Sequence, residues 1–352
     1  MNQDLQALLQ EAGSLPDGAA KLEVLEAAVR IADAEGLLEL AYDIRSDIVR
    51  TSIFNGFPLK AVVAFSWQLG QYDRHPELFD SYDLLWSYKW ILGEISHFPD
   101  IPLQQIEALA EDLGKRYQEH GYGPRTYWYY RFRLAMDLGR LQEAGTFMER
   151  FQTLRRDDMS DCIACEQNQI VQYYAEAGDD EKALEAAKPI LSGSMRCAEV
   201  PHITISHLLL PLYRARSVEE AAKAHTRGYR LVKGKRDFVG ALARHIEYLA
   251  VANQKKGIEL FEQHIALTLQ HEDPYQTMLF HLYSSKLLRR IAAEDPVYRP
   301  RLPASFVSAN GDMSLEELAQ HLGGLAISAA QKYDQRNGNT VYSELASAAL
   351  RD

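Results

Sequence analysis

Apolar positions recur three and four residues apart through most of this chain, and glycine or a short polar pair interrupts them at regular intervals. Ile170, Val171, Tyr174 and Ala177 form one such stripe, which predicts a helix with a single buried face. Gly178 ends it, because glycine accepts the left-handed conformation that a helix C-terminus needs. Asp179 and Asp180 then cap a second helix, whose stripe is Ala183, Ala187 and Ile190. The small Ala183 lets the second helix lie close against the first, so the stretch reads as a helical hairpin.

The design repeats. Phe132, Ala135 and Met136 lead to Gly139, then to Ala144, Met148 and Phe151. Leu208, Leu209 and Leu212 lead to Arg216, with Ser217 as the cap and Ala221 as the small contact. Ile48, Thr51 and Ser52 precede Asn55 and Gly56, and Ala61 and Phe65 follow. From Ala144 to Ala183 is 39 positions, from Ala183 to Ala221 is 38, and Gly257 comes 36 later. Ala61 to Ile106 is 45 and Ile106 to Ala144 is 38. A drifting period of this length, in which each unit buries its face against the next, predicts an all-α solenoid with no sheet.

The Tyr174, Gly178, Ala183 and Ala187 spacing resembles the tetratricopeptide-repeat superfamily, and Gly139 with Ala144 and Gly56 with Ala61 match it more loosely. The period exceeds that family's usual length of about 34. The early tryptophan and the leucine-glycine pair are missing, and Pro189 falls inside its second helix. The resemblance covers residues 36–292 and implies a right-handed superhelix of antiparallel hairpins. Residues 1–35 read as two N-terminal capping helices, with Ser14 and Leu15-Pro16 starting the second. Residues 293–313, broken by Pro296, Pro300, Pro303 and Asn310-Gly311, read as an irregular crossing segment that buries Tyr298, Leu302, Phe306 and Val307. Residues 314–352 read as a C-terminal capping pair, opened by a Ser314 and Glu317 capping box.

The resemblance also implies a noncatalytic scaffold that binds a peptide or partner protein on its concave face. Carrying the groove positions over by repeat alignment points to Asn168 and Gln172, to Tyr129, Arg133 and Met136 one repeat earlier, and to Ser206 and Tyr213 one later. Cys165 occupies an equivalent position. A second reading is a cytoplasmic regulatory receptor for a short peptide, similar to bacterial peptide-pheromone sensors. The roughly 35 residues before the first hairpin are too few for the DNA-binding domain that some of those carry. A third class, an enzyme or a nucleic-acid-associated factor, rests on the aromatic and arginine run from Arg125 to Arg133.

Charge and motifs narrow these classes. The 352 residues carry a net charge of -11, which disfavours nonspecific nucleic-acid or anionic-membrane binding, and 47% apolar content argues against disorder. The N-terminus shows no basic start followed by an apolar run, and three cysteines do not make a disulfide framework, so the expected location is cytoplasmic. No HExxH, GxSxG, Walker loop or GxGxxG occurs, and no cofactor is expected. Arg227, Arg230, Lys233, Lys235 and Arg236 close a second helix, where cations complement its negative end. Cys162, Cys165, Cys197 and His202 flank one hairpin and fall at the same end of it, as a Cys3His zinc site would require. The competing reading, taken as the expectation, is small apolar packing without metal.

Overall fold

The computed structural model describes residues 3–311 and 313–351. It is built from helices alone, with no strand among the described residues. Helices α1 (Gln3–Ser14) and α2 (Ala19–Ala34) lead into a series of antiparallel hairpins. These are α3 (Leu38–Ile53) with α4 (Pro58–Arg74), α5 (Ser81–Glu94) with α6 (Leu103–Glu119), and α7 (Arg125–Asp137) with α8 (Leu141–Thr153). Then come α9 (Ile163–Glu176) with α10 (Asp180–Leu191), α11 (His202–Arg214) with α12 (Val218–Val232), and α13 (Val239–Ala252) with α14 (Gln254–His264). The series ends with α15 (Pro274–Glu294), the short α16 (Ala304–Asn310), α17 (Leu315–Asn337) and α18 (Val341–Arg351).

From α3 to α17 the odd-numbered helices pack on one another and form the inner layer, while each even-numbered helix backs its own hairpin. The small residues read from the sequence sit at these seams: Ala61, Ala144, Ala183 and Ala221 are fully buried. Gly139 and Gly178 take positive φ at their turns, and Asp179 caps α10 by accepting the Lys182 N–H. In the next hairpin Arg216 adopts that left-handed conformation without being glycine, and the Ser217 side chain makes no cap bond. Ser314 and Glu317 form the complete capping box, and Gly338 ends α17 in the left-handed region.

Two expectations change. The crossing segment contains the short α16 and is pinned by Glu262, which accepts from the Tyr298 hydroxyl at 3.0 Å and the Arg301 N–H at 2.8 Å. Phe306 is buried there as read, while Tyr298, Leu302 and Val307 are only partly buried. The larger change is that the concave face is bridged by contacts between distant parts of the coil. Arg236 Nε donates to the Gly56 carbonyl at 3.0 Å, and its guanidinium lies 4.7 Å from the Phe57 ring. The C-terminal pair does cover α15, but it also reaches back to the middle of the chain. Tyr333 donates its hydroxyl to the His97 carbonyl at 2.6 Å, and Arg336 donates to Ser96 and Phe98. Asn339 donates to the Leu138 carbonyl and Tyr342 to that of Asp137.

Candidate functional site

These contacts leave the concave face as a partly open cavity of about 450 Å³, the size class of small-ligand sites. The inner helices α5, α7, α9, α11 and α13 supply its wall, and the start of α15 completes it. Tyr129, Arg133, Asn168, Gln172 and Ser206 all line this space, as does Cys165. Met136 lines a second cavity of about 260 Å³, roofed by Val341 and Tyr342. Tyr213 lines neither. Its ring packs on Tyr248 and its hydroxyl bonds the Val251 carbonyl, which makes it a contact between hairpins.

The polar residues differ in what they have left to offer. The Asn168 carbonyl accepts from the Thr204 hydroxyl at 2.6 Å, joining α9 to α11, and Gln172 donates to Glu176 at 3.0 Å. The Ser206 hydroxyl is turned back onto the Ile203 carbonyl. Tyr129, expected to face a ligand in the groove, is only 1% exposed, with its ring against Tyr130 and Phe151. The other arginines of the aromatic run are spent on structure. Arg125 bonds Glu166 at 2.6 Å and the Phe151 and Leu154 carbonyls, and Arg131 pairs with Glu107 and Glu111. Arg133 alone of the three has no hydrogen bond and no carboxylate at ion-pair distance among the described residues. Its guanidinium lies 5.2 Å from the Tyr130 ring and presses on Gly93, where an added Cβ would come within 2.8 Å of Nη1. Desolvation opposes the charge, but the neighbouring tyrosines and Asp137 and Asp161 keep Arg133 firmly cationic.

Several cavity groups carry no local signal in the sequence. Arg244 reaches Glu176 at 3.3 Å from α13. Phe54, Trp90 and Trp86 stack edge to face along one wall. Glu94, Asp137, Asp161, Glu199, Asp237 and Asp273 line the space, with Arg133, Arg244 and His97 as the basic groups among them. Burial pushes Glu94 and Glu199 each up to about 7, because an ionised carboxylate loses its hydration there. His97 Nδ1 lies 2.8 Å from Asp273 Oδ2 and 3.5 Å from Glu94 Oε2. Desolvation alone would lower His97, but the Asp273 charge and hydrogen bond, with Glu94, hold it up at about 10. The histidine is a cation here.

The three thiols meet at the cavity edge. Cys162 Sγ is 2.8 Å from Cys165 Sγ, and Cys165 Sγ is 3.3 Å from Cys197 Sγ. Cys162 stands at the N-cap of α9, and its sulfur accepts the Cys165 N–H at 3.2 Å. The loop before it is pinned from below. Lys89, fully buried, donates to the Met159 carbonyl and pairs with Asp161, both at 2.9 Å, with its ammonium over the Trp86 ring. Cys197 closes its own turn by donating its N–H to the Val200 carbonyl at 3.1 Å. The Cys165 thiol hydrogen bond draws Cys197 down to about 5 and raises Cys165 itself. His202 is not with them. Its ring lies edge-on to Phe238 at 4.7 Å, neither nitrogen has a partner, and burial lowers it to about 4. A Cys3His set is therefore not assembled.

Among solved structures, the chain is similar to one in the crystal structure of the APC/C hetero-tetramer Cut9-Hcn1, at 14% identity and a TM-score of 0.49. The match covers 99% of this chain and 62% of that one, so this chain spans less than two thirds of that protein's length. No family model and no curated protein matches the chain. No helix of the described residues is long and apolar enough to cross a membrane.

Proposed function

We propose that this chain is a noncatalytic, cytoplasmic helical-repeat binding protein that holds a short peptide, or a short segment of a partner protein, in the cavity of its concave face. The observation that carries the reading is Arg133, a guanidinium on the cavity wall with its fork of donors unspent. Leaving a charged group desolvated and unpaired is costly, and an incoming carboxylate would satisfy it in a bidentate pair. Glu94, next in the chain to the Gly93 that Arg133 presses on, lines the same space and suits an ammonium group, so the cavity offers both signs that a peptide carries. Asn168 and Gln172 lie between helices at the centre and still face the ligand.

The size of the cavity favours the short-peptide form of this reading. An extended peptide lying along a groove needs an open face, and about 450 Å³ does not hold one. Tagged wild-type protein and an Arg133→Glu variant, used as baits in extract from the native host, test the proposal by mass spectrometry of what each retains. The expected result is a peptide or protein retained by the wild type and lost from the variant, with both baits folded by circular dichroism. Equal retention on both baits removes the interior as the binding site.

A further inference from the structure

We infer that Cys162, Cys165 and Cys197 together bind one zinc ion, with its fourth coordination position open to the interior cavity. The three sulfurs lie within 4.8 Å of one another although Cys197 comes from a separate loop 32 residues beyond Cys165. Thiols packed for bulk alone have no reason to converge on a common point, and two of these contacts, 2.8 and 3.3 Å, are closer than sulfur packing needs. A tetrahedral ion with bonds of about 2.3 Å sets sulfur separations of about 3.8 Å, so loading spreads the cluster by only about 1 Å.

The surroundings are those of a thiolate set. Cys162 takes an N-cap position normally held by serine, threonine or aspartate, and receives a main-chain N–H on its sulfur. Such N–H donors orient thiolate ligands and spread their charge, the role that outer partners play around bound metals. Soft sulfur ligands select zinc over hard cations such as magnesium or calcium. Each thiol gives up its proton on binding, and no oxidation or reduction is involved.

With His202 turned onto Phe238, the described residues add no histidine, cysteine or carboxylate to this set of three. Three protein ligands with an open position is the arrangement of a site that receives a further donor. Cys162, Cys165 and Cys197 all line the cavity that holds Arg133, so that donor would be water or a group of the bound ligand. The inference does not depend on the peptide reading, since metal binding is measured without any partner.

The test is titration of reduced, metal-free full-length protein with cobalt(II) alone, alongside zinc analysis of protein purified without chelator. The expected result is one cobalt per chain, with thiolate charge-transfer absorption and the intense visible bands of tetrahedral coordination. Zinc should displace it. Cys162→Ser, at an exposed position, should weaken cobalt binding by more than about 100-fold while the far-ultraviolet spectrum stays unchanged. Added imidazole should shift the visible bands of the wild type, and a spectrum that does not respond refutes the open position. A protein with three titratable thiols and no cobalt spectrum, or with two of the cysteines joined in a disulfide, overturns the inference.

Discussion

His97 holds Asp273 at 2.8 Å across 176 residues of chain, joining the end of the second hairpin to the start of α15. The pair lies at the inside of the coil, with the His97 side chain 16% exposed and that of Asp273 1%. Tyr275 packs on the imidazole and Tyr333 binds the His97 carbonyl, so the same residue anchors two later elements. Breaking a buried charge pair by removing one partner costs about 3 kcal/mol or more.

This pair should shape the pH dependence of stability. His97 titrates near 10 in the fold, above its ordinary value of 6.5, so its contribution is complete below about 6.5 and is lost as pH rises through about 10. Burial alone would raise Asp273, but the His97 charge and the Gln276 N–H hold it low, so its share is lost as pH falls through the acid range. Glu94 and Asp137 also face the imidazole, which is why the difference between wild type and His97→Gln is the useful quantity. Urea unfolding should show that difference at about 3 kcal/mol near pH 6 and shrinking steadily toward pH 10. A difference that does not vary with pH would mean that His97 is neutral in the fold.

Glu94 should act in the other direction. Its folded value of about 7, raised from 4.5 by burial, means that ionising it inside the coil costs stability as pH rises from about 4.5 through 7. Glu94→Gln removes that cost. The variant should match wild type near pH 4 and exceed it by about 2 kcal/mol near pH 8 in the same unfolding assay.

Arg133 separates binding from folding. Arg133→Met keeps an unbranched apolar stem, removes the guanidinium that lies over Tyr130 and against Gly93, and loses no hydrogen bond. Its stability should hold or rise, because the cost of keeping an unpaired charge out of water is removed. Affinity for the retained partner should fall by about 2 kcal/mol or more, measured by calorimetry. Unfolding of the variant at ordinary temperature would make Arg133 a structural residue between hairpins.

Two glycines with the same backbone conformation isolate the closure contact. Gly56 and Gly178 both have φ of +75, but a Cβ on Gly56 would meet the Arg236 backbone at 3.1 Å, whereas one on Gly178 meets nothing within 4 Å. Gly178→Ala should cost about 1–2 kcal/mol from the left-handed conformation alone. Gly56→Ala should cost measurably more in parallel melts. It should also speed hydrogen exchange at residues 235–238, which the Gly178 variant leaves alone.

The sequence by itself determined the hairpins. Helix stripes, glycine stops and small seam residues act over four to forty positions, and each is satisfied by its immediate neighbours. That is why Gly178, Ala183 and the Ser314 box stand where the pattern puts them, and why Cys162, Cys165 and Cys197 were legible as one hairpin end. The tertiary structure decided everything that depends on curvature. Small rotations between successive hairpins add up until residue 56 meets 236 and residue 97 meets 273, and no local spacing encodes that sum. The same accumulation narrowed an expected groove into a bridged cavity and brought Glu94 and Arg244 to its wall. It buried Tyr129, and it left Arg133 as the unpaired cation of its run. His202 failed for a shorter-range reason: at the start of α11 its ring found Phe238, and a buried aromatic contact outweighed a place beside the thiols.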